Sequence, residues 1–187
     1  MRIISGRFKG RLIKRVKEIR PTQNRVREAL FDILGDIQGL SFVDIYAGSG
    51  AIGLEALSHA AGRVIFVEIS RKCIDVIKTN ITLLGLSKHQ EDESICGVIS
   101  LDAHKAIKRL SQRNERLDIV FLDPPYYQDL AKKTLKSIAQ YDIVSPAGMI
   151  ICQHDRREIL PQVEGDFNLI KQAKYGSSRL SVYRRPV

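Results

Sequence analysis

One stretch, Ser41–Leu57 (SFVDIYAGSGAIGLEAL), constrains the fold of this chain more than any other. Phe42, Val43, Ile45 and Tyr46 form a short apolar run of the kind a buried central strand requires. Gly48, Gly50 and Gly53 follow, and then a helical pattern through Ile52, Leu54, Ala56 and Leu57. Strand, glycine-rich turn and helix in that order are how α/β proteins cradle a nucleotide-like cofactor. Glycine suits the turn because φ can become positive there and because a side chain would block the ligand.

The spacing Gly48-x-Gly50-x-x-Gly53 fits the dinucleotide fingerprint, a weak signal alone. Asp44 narrows it. A carboxylate near the C-terminal end of the strand would repel the pyrophosphate of NAD. It would suit a cationic ammonium, such as the methionine end of S-adenosylmethionine. Glu68 closes the next apolar run, Val64–Val67, where an acid can accept hydrogen bonds from ribose hydroxyls.

At 187 residues the chain is read as one domain, 1–187. No apolar run reaches the length of a membrane span, and the N-terminus lacks a signal-peptide core. Cys73, Cys96 and Cys152 are scattered and odd in number, which fits buried thiols in a reducing cytoplasm. His59, His89, His104 and His154 have no ligand-like spacing, so no metal is expected. The net charge of +9 is uneven. Eight Lys or Arg against Glu18 alone put seven of those charges in the first twenty residues. A basic segment on a near-neutral body reads as a phosphate-backbone contact. Residues 1–20 are therefore expected to be a basic β hairpin that binds RNA, anchored by Ile3, Ile4, Phe8, Leu12, Ile13 and Val16. Residues 21–187 are the expected cofactor-binding core.

Pro21-Thr22 opens a helix in this reading, with Val26, Ala29, Leu30, Ile33 and Leu34 as its apolar stripe and Gly35 as its stop. Thr22 or Asn24 can cap it, and Arg25 and Arg27 lie off the stripe, free to face a ligand or RNA. Further strands are predicted at Arg63–Glu68, Ile95–Leu101, Leu117–Leu122 and Met149–Cys152. Helices are predicted from Ile74 to about Leu84 and around Ala106–Leu110 and Leu130–Ile138, and a loop over Lys88–Ser94. The tail Asn168–Tyr183 alternates around Gly176-Ser177-Ser178, a hairpin signal. Together these predict an open, mostly parallel sheet with one antiparallel strand and helices on both faces. Asp44, Glu68, Asp102 and Asp123 all fall at predicted strand C-termini, the edge where such sheets bind ligands.

Asp123-Pro124-Pro125-Tyr126 follows the fourth strand. Two prolines force a rigid, extended exit and fix the carbonyls before them. An Asp123 carboxylate, a Pro124 carbonyl and a Tyr126 ring suit a planar base bearing an exocyclic amine. The two acceptors would take its N–H groups while the ring stacks.

The sequence resembles the bacterial 16S ribosomal RNA guanine-N2 methyltransferases of the RsmD type. The likeness runs through MRIISGRFKGR at the N-terminus, Arg20–Leu34, Asp44–Leu57, Phe66–Glu68, Phe121–Tyr126 and Lys174–Tyr183. It implies a Rossmann-like class I methyltransferase fold with a seven-stranded sheet. It implies methyl transfer from S-adenosylmethionine to the N2 amine of a guanine in small-subunit ribosomal RNA, for which the family's usual target is guanine 966. It implies cofactor contacts from Asp44, Tyr46, Ala47, Gly48, Ser49, Gly50, Glu68, Ile69, Asp102 and Ala103, with Thr22 and Arg25 near the methionine end. Asp123, Pro124, Pro125 and Tyr126 are the implied catalytic set. Arg7, Lys9, Arg11, Lys14, Arg15, Arg20 and Arg27 are the expected RNA contacts of a cytoplasmic monomer that acts on the small ribosomal subunit, with no membrane association. Two positions depart from the family: Asn24, where it usually has Asp, and Asp32, where it usually has Asn.

Three other readings stay open. A DNA adenine-N6 methyltransferase can use a similar tetrapeptide, although 187 residues leave little room for a DNA-reading region. A dehydrogenase would share the glycine turn but not Asp44. A non-catalytic RNA-binding protein would keep the basic arm and have no use for the strand-end acids.

Overall fold

A computed structural model describes residues 1–16, 24–86, 95–126 and 129–186. The expected loop at Lys88–Ser94, together with Thr22 and Arg20, lies outside those residues. Within them the elements are α1 (Asn24–Leu34), β1 (Ser41–Ile45), α2 (Ala51–Ser58), β2 (Arg63–Val67), α3 (Arg71–Leu83), β3 (Cys96–Ile99), α4 (Ala103–Gln112), β4 (Leu117–Leu122), α5 (Leu130–Tyr141), β5 (Val144–Asp155), β6 (Val163–Glu164), β7 (Phe167–Tyr175) and β8 (Ser178–Arg184).

The strands form one sheet in the order β3-β2-β1-β4-β5-β8-β7-β6. β1 to β5 pair parallel, and β8 enters antiparallel between β5 and β7. The sheet has eight strands where seven were expected, because the two-residue β6 adds an edge antiparallel to β7. So two strands, not one, run against the rest. The fifth strand also extends well beyond Met149–Cys152, since pairing with β8 carries its ladder out to Asp155.

Chain order reverses between β1 and β4, and such a reversal opens a crevice beyond the strand C-termini. Alternating residues send side chains to opposite faces. Phe42, Phe66, Phe121 and Ile151 pack with α1 and α2 on one face. Val43, Ile65, Val120 and Ile150 pack with α4 and α5 on the other.

The N-terminal segment folds back on itself as the expected small hairpin, in abbreviated form. Arg2 bridges Leu12 antiparallel, the Ile3 N–H donates to the Arg11 carbonyl at 3.0 Å and the Ile13 N–H to the Met1 carbonyl at 2.9 Å, and a 3-10 turn at Gly6–Phe8 lies between the two arms. Ile3 and Ile13 are buried in the α1/α2 core. Each such burial contributes about 1.5–3 kcal/mol, which docks the segment to the body and leaves Arg7, Lys9, Arg11, Lys14 and Arg15 exposed.

Candidate active site

β1 ends in a turn that ordinary residues disfavour. Tyr46 takes φ +69°, Gly48 +55° and Gly50 +79°. At Gly50 the positive φ sits at the N-cap of α2, and an added Cβ would lie 3.0 Å from Ile77 and 3.3 Å from the Phe66 ring. Gly53 serves packing: a Cβ there would lie 2.3 Å from Phe66 Cε1. Helix α2 therefore lies close against the sheet and aims its N-terminus at the crevice. For Tyr46, a non-glycine residue with left-handed backbone carries strain of about 1–3 kcal/mol. Its hydroxyl is held to Thr134 Oγ1 at 2.7 Å.

The strand-end acids are placed differently from one another. Asp44 is buried, and among the described residues its hydrogen-bond donor is the Gly53 N–H at 3.0 Å. Burial pushes its carboxyl up to about 8; the Gly53 bond opposes this, and nearby Asp123 and Glu68 add to it. Glu68 accepts from the N–H groups of Gly48 (2.7 Å), Ile69 and Ser70 (2.9 Å each), so it braces the glycine turn from β2. Asp102 caps α4 by accepting from the Lys105 N–H at 3.0 Å, and that bond lowers its pKa.

The Asp123-Pro124-Pro125-Tyr126 segment leaves β4 beside this turn. The Asp123 N–H reaches back to the Ile45 carbonyl at 3.4 Å. Pro124 is buried and Pro125 exposed. The Tyr126 hydroxyl and Ser178 Oγ lie 3.0 Å apart, which ties the segment to the start of β8.

A cavity of about 740 Å³ unites these parts. Asp44, Tyr46, Ala47, Gly48, Ser49, Glu68, Ile69, Asp123, Pro124, Pro125 and Tyr126 all line it, together with Arg15. A second cavity of about 520 Å³ shares Tyr46, Glu68, Ile69 and Leu130 with it and continues to Asp102 and Ala103 between α4 and α5. Their volumes suit a small-molecule site. Three expected residues stand apart. Arg25 is exposed on α1 and does not line either cavity. Gly50 shapes the turn without lining the cavity. Ser49 lines it, but its hydroxyl accepts from the Val16 N–H at 3.0 Å.

Arg27 is a correction. Expected to face RNA, it is fully buried. It donates to Asn24 Oδ1 at 2.6 Å and to the Arg2 carbonyl, and it pairs with Glu55 at 3.5 Å. Its position off the apolar stripe of α1 turned it toward the docked N-terminal segment instead of solvent. Two buried residues that the sequence reading missed hold that segment. Glu55 accepts from the Ile4 and Ser5 N–H groups. Asn80 accepts from the Lys14 N–H at 2.7 Å and donates to the carbonyls of Lys14 and Ser49. Asn80 thus clasps the basic segment to the glycine turn. Thr134, Gln153 and Ser178 were missed in the cavity walls, since none of them belongs to a motif that marks a ligand contact.

Among the described residues, no helix is long and apolar enough to cross a membrane. The family profile described as Conserved hypothetical protein 95 matches residues 1–184. YlbH of Bacillus subtilis (strain 168) is 35% identical over 188 residues, covering 99% of each chain. Ribosomal RNA small subunit methyltransferase D of Buchnera aphidicola (subsp. Acyrthosiphon pisum) is 33% identical over 159 residues, 83% of this chain and 78% of that one. The solved structure of protein TTHA0928 from Thermus thermophilus superposes with a TM-score of 0.83 at 28% identity, covering 98% of this chain and 99% of the other. With the family profile running over residues 1–184 and relatives matched over most of its length, the chain belongs to the Conserved hypothetical protein 95 family, that of ribosomal RNA small subunit methyltransferase D.

Proposed function

We propose that this chain transfers a methyl group from S-adenosylmethionine to the N2 amine of a guanine in small-subunit ribosomal RNA, at the position the family modifies, guanine 966. The observation that carries the reading is the shared cavity: the glycine turn, Asp44 and Asp123–Tyr126 line one space. S-adenosylmethionine supplies the electrophilic methyl group. Asp44 is a buried acid with room for a cation, which suits an α-ammonium. Glu68 braces the turn and offers its remaining lone pairs to ribose hydroxyls, and Asp102 with Ala103 borders the neighbouring cavity, which suits adenine.

On the other side, the Asp123 carboxylate and the Pro124 carbonyl accept the two N–H groups of the base amine, and Tyr126 stacks on the ring, contributing about 1–3 kcal/mol. Two acceptors favour a pyramidal nitrogen whose lone pair points at the methyl carbon. Rate then comes from positioning and electrostatics. Arg7, Lys9, Arg11, Lys14 and Arg15 supply backbone affinity that offsets the few kcal/mol needed to extract the base. Cys73, Cys96 and Cys152 are free thiols, in keeping with a cytoplasmic protein.

Mass mapping of small-subunit RNA from cells with and without the protein tests this directly. One N2-methylguanine should appear only with it; a methylated adenine in DNA instead would point to the rival activity. In vitro, Asp123→Ala should lose about 10²–10³-fold in methyl transfer and still bind S-adenosylmethionine. Tritium transfer by that variant at the normal rate would sink the mechanism.

A further inference from the structure

Gln153 sits on β5, is 4% exposed and lines the large cavity. Its Oε1 is buried and has no hydrogen-bond partner among the described residues. An unpaired buried carbonyl of this kind costs about 1–3 kcal/mol, and no described residue offsets that here. Its neighbour on the other face, His154, is by contrast satisfied by Ser181 and the Asp155 carbonyl.

The sheet places this residue. Leu122 of β4 pairs with Cys152 of β5 in parallel register, so Asp123 and Gln153 are the next residues along adjacent strands, which lie about 4.7–4.9 Å apart. Gln153 shares a face with Ile151, whose side chain packs with Phe121, two residues before Asp123. Across the crevice the order is Asp44 on β1, Asp123 after β4, Gln153 on β5 and Ser178 on β8. Gln153 therefore lies beyond Asp123 from Asp44, on the side of the base and away from the cofactor ammonium. It is also uncharged. A third carboxylate beside Asp44 and Asp123 would add to the repulsion that already raises Asp44.

We infer that Gln153 Oε1 accepts the ring N1–H of the target guanine and so makes the site selective for that base. The inference rests on the function proposed above. Guanine carries the N1–H next to its N2 amine on the Watson–Crick edge, where extruded bases are read. With the amine held by Asp123 and Pro124, the N1–H is the next donor along that edge. Adenine presents a lone pair at the corresponding ring nitrogen, which would face the carbonyl oxygen and leave both unpaired. Sites built around a hydrogen bond reject analogues that lack the donor far more strongly than apolar pockets reject a missing methylene.

The test uses small subunits reassembled from ligated RNA that carries guanine or 2-aminopurine at the target position. 2-Aminopurine keeps the 2-amine and lacks the N1–H. Wild type should lose roughly 10–100-fold in kcat/KM on 2-aminopurine. Gln153→Met should lose about as much on guanine and little further on 2-aminopurine, while its affinity for S-adenosylmethionine stays within about twofold. Independent losses for enzyme and substrate changes would overturn the inference. So would a parallel loss of cofactor affinity in Gln153→Met. Failure of wild type to methylate the guanine subunits would overturn the parent function and this inference together, whereas methylation with additive losses overturns the inference alone.

Discussion

Helix α2 stands between two buried carboxylates that have opposite roles. Glu55, on the helix itself, is fully enclosed and meets Arg27, the Ile4 and Ser5 N–H groups and the Ser5 hydroxyl. Asp44, on β1 facing the first turn of the helix, is nearly as enclosed, yet among the described residues it meets one N–H, that of Gly53. Burial alone therefore does not distinguish scaffold from site; the supply of partners does. A carboxylate whose lone pairs are met by a cation and several N–H groups is part of the framework. One that is sealed in with a single donor, and pushed up to about 8 by that burial, fits the role proposed for it above, that of meeting a charge that arrives from outside.

The largest expected effect separates the two by stability. Glu55→Ala leaves Arg27 buried without its counter-charge and should cost about 3–5 kcal/mol in urea denaturation. Asp44→Asn keeps an acceptor for Gly53 and should cost less than about 1 kcal/mol. Equal losses would break the comparison.

Ligand affinity should show the reverse order. Asp44→Asn should weaken S-adenosylmethionine binding by about 2–3 kcal/mol, or roughly 30- to 150-fold by calorimetry. A variant that binds normally would remove Asp44 from the cofactor site.

Titration sharpens the same point. The folded pKa of Asp44 is raised from 3.8 to about 8, so the folded state holds a proton that the unfolded chain releases. The stability that this proton contributes is complete below 3.8 and is lost as pH rises toward about 8. Asp44→Asn should remove that part of the decline in urea melts. A bound ammonium favours the ionised carboxyl, so cofactor binding below neutrality should release close to one proton. The release should fade above about 8 and be absent in Asp44→Asn. Calorimetry in buffers of different ionisation enthalpy reads it.

The smallest effect concerns the clasp between basic segment and glycine turn. Asn80→Ala removes three hydrogen bonds, to the Lys14 N–H and to the Lys14 and Ser49 carbonyls. It should cost about 1–3 kcal/mol of stability. By loosening Lys14 and Arg15 it should also flatten the salt dependence of RNA binding by about 0.7 of a log unit for each phosphate left without its cation. An unchanged slope would show that the basic side chains act independently of the clasp.

Strand β1, the glycine turn, α2 and the Asp123–Tyr126 segment were legible in the residue order because each is local. Four apolar residues about Asp44, three glycines at fixed offsets and a proline pair dictate backbone geometry within a few bonds of themselves. The same is true of the basic charge over residues 1–20, which composition alone reveals. What lay beyond local reading were contacts between segments far apart in the chain. Arg27 looked free for RNA because periodicity places a side chain on a helix face without saying what covers that face, and the docked N-terminus covers it with Glu55 close by. Asn80 and Gln153 carry no motif; one clasps a segment 66 residues away, and the other gains its meaning from lying beside Asp123 across two strands. Elements and motifs follow from short-range sterics and hydropathy. Which buried polar groups end with partners, and which are left waiting for a ligand, follows from how the sheet brings distant strands together.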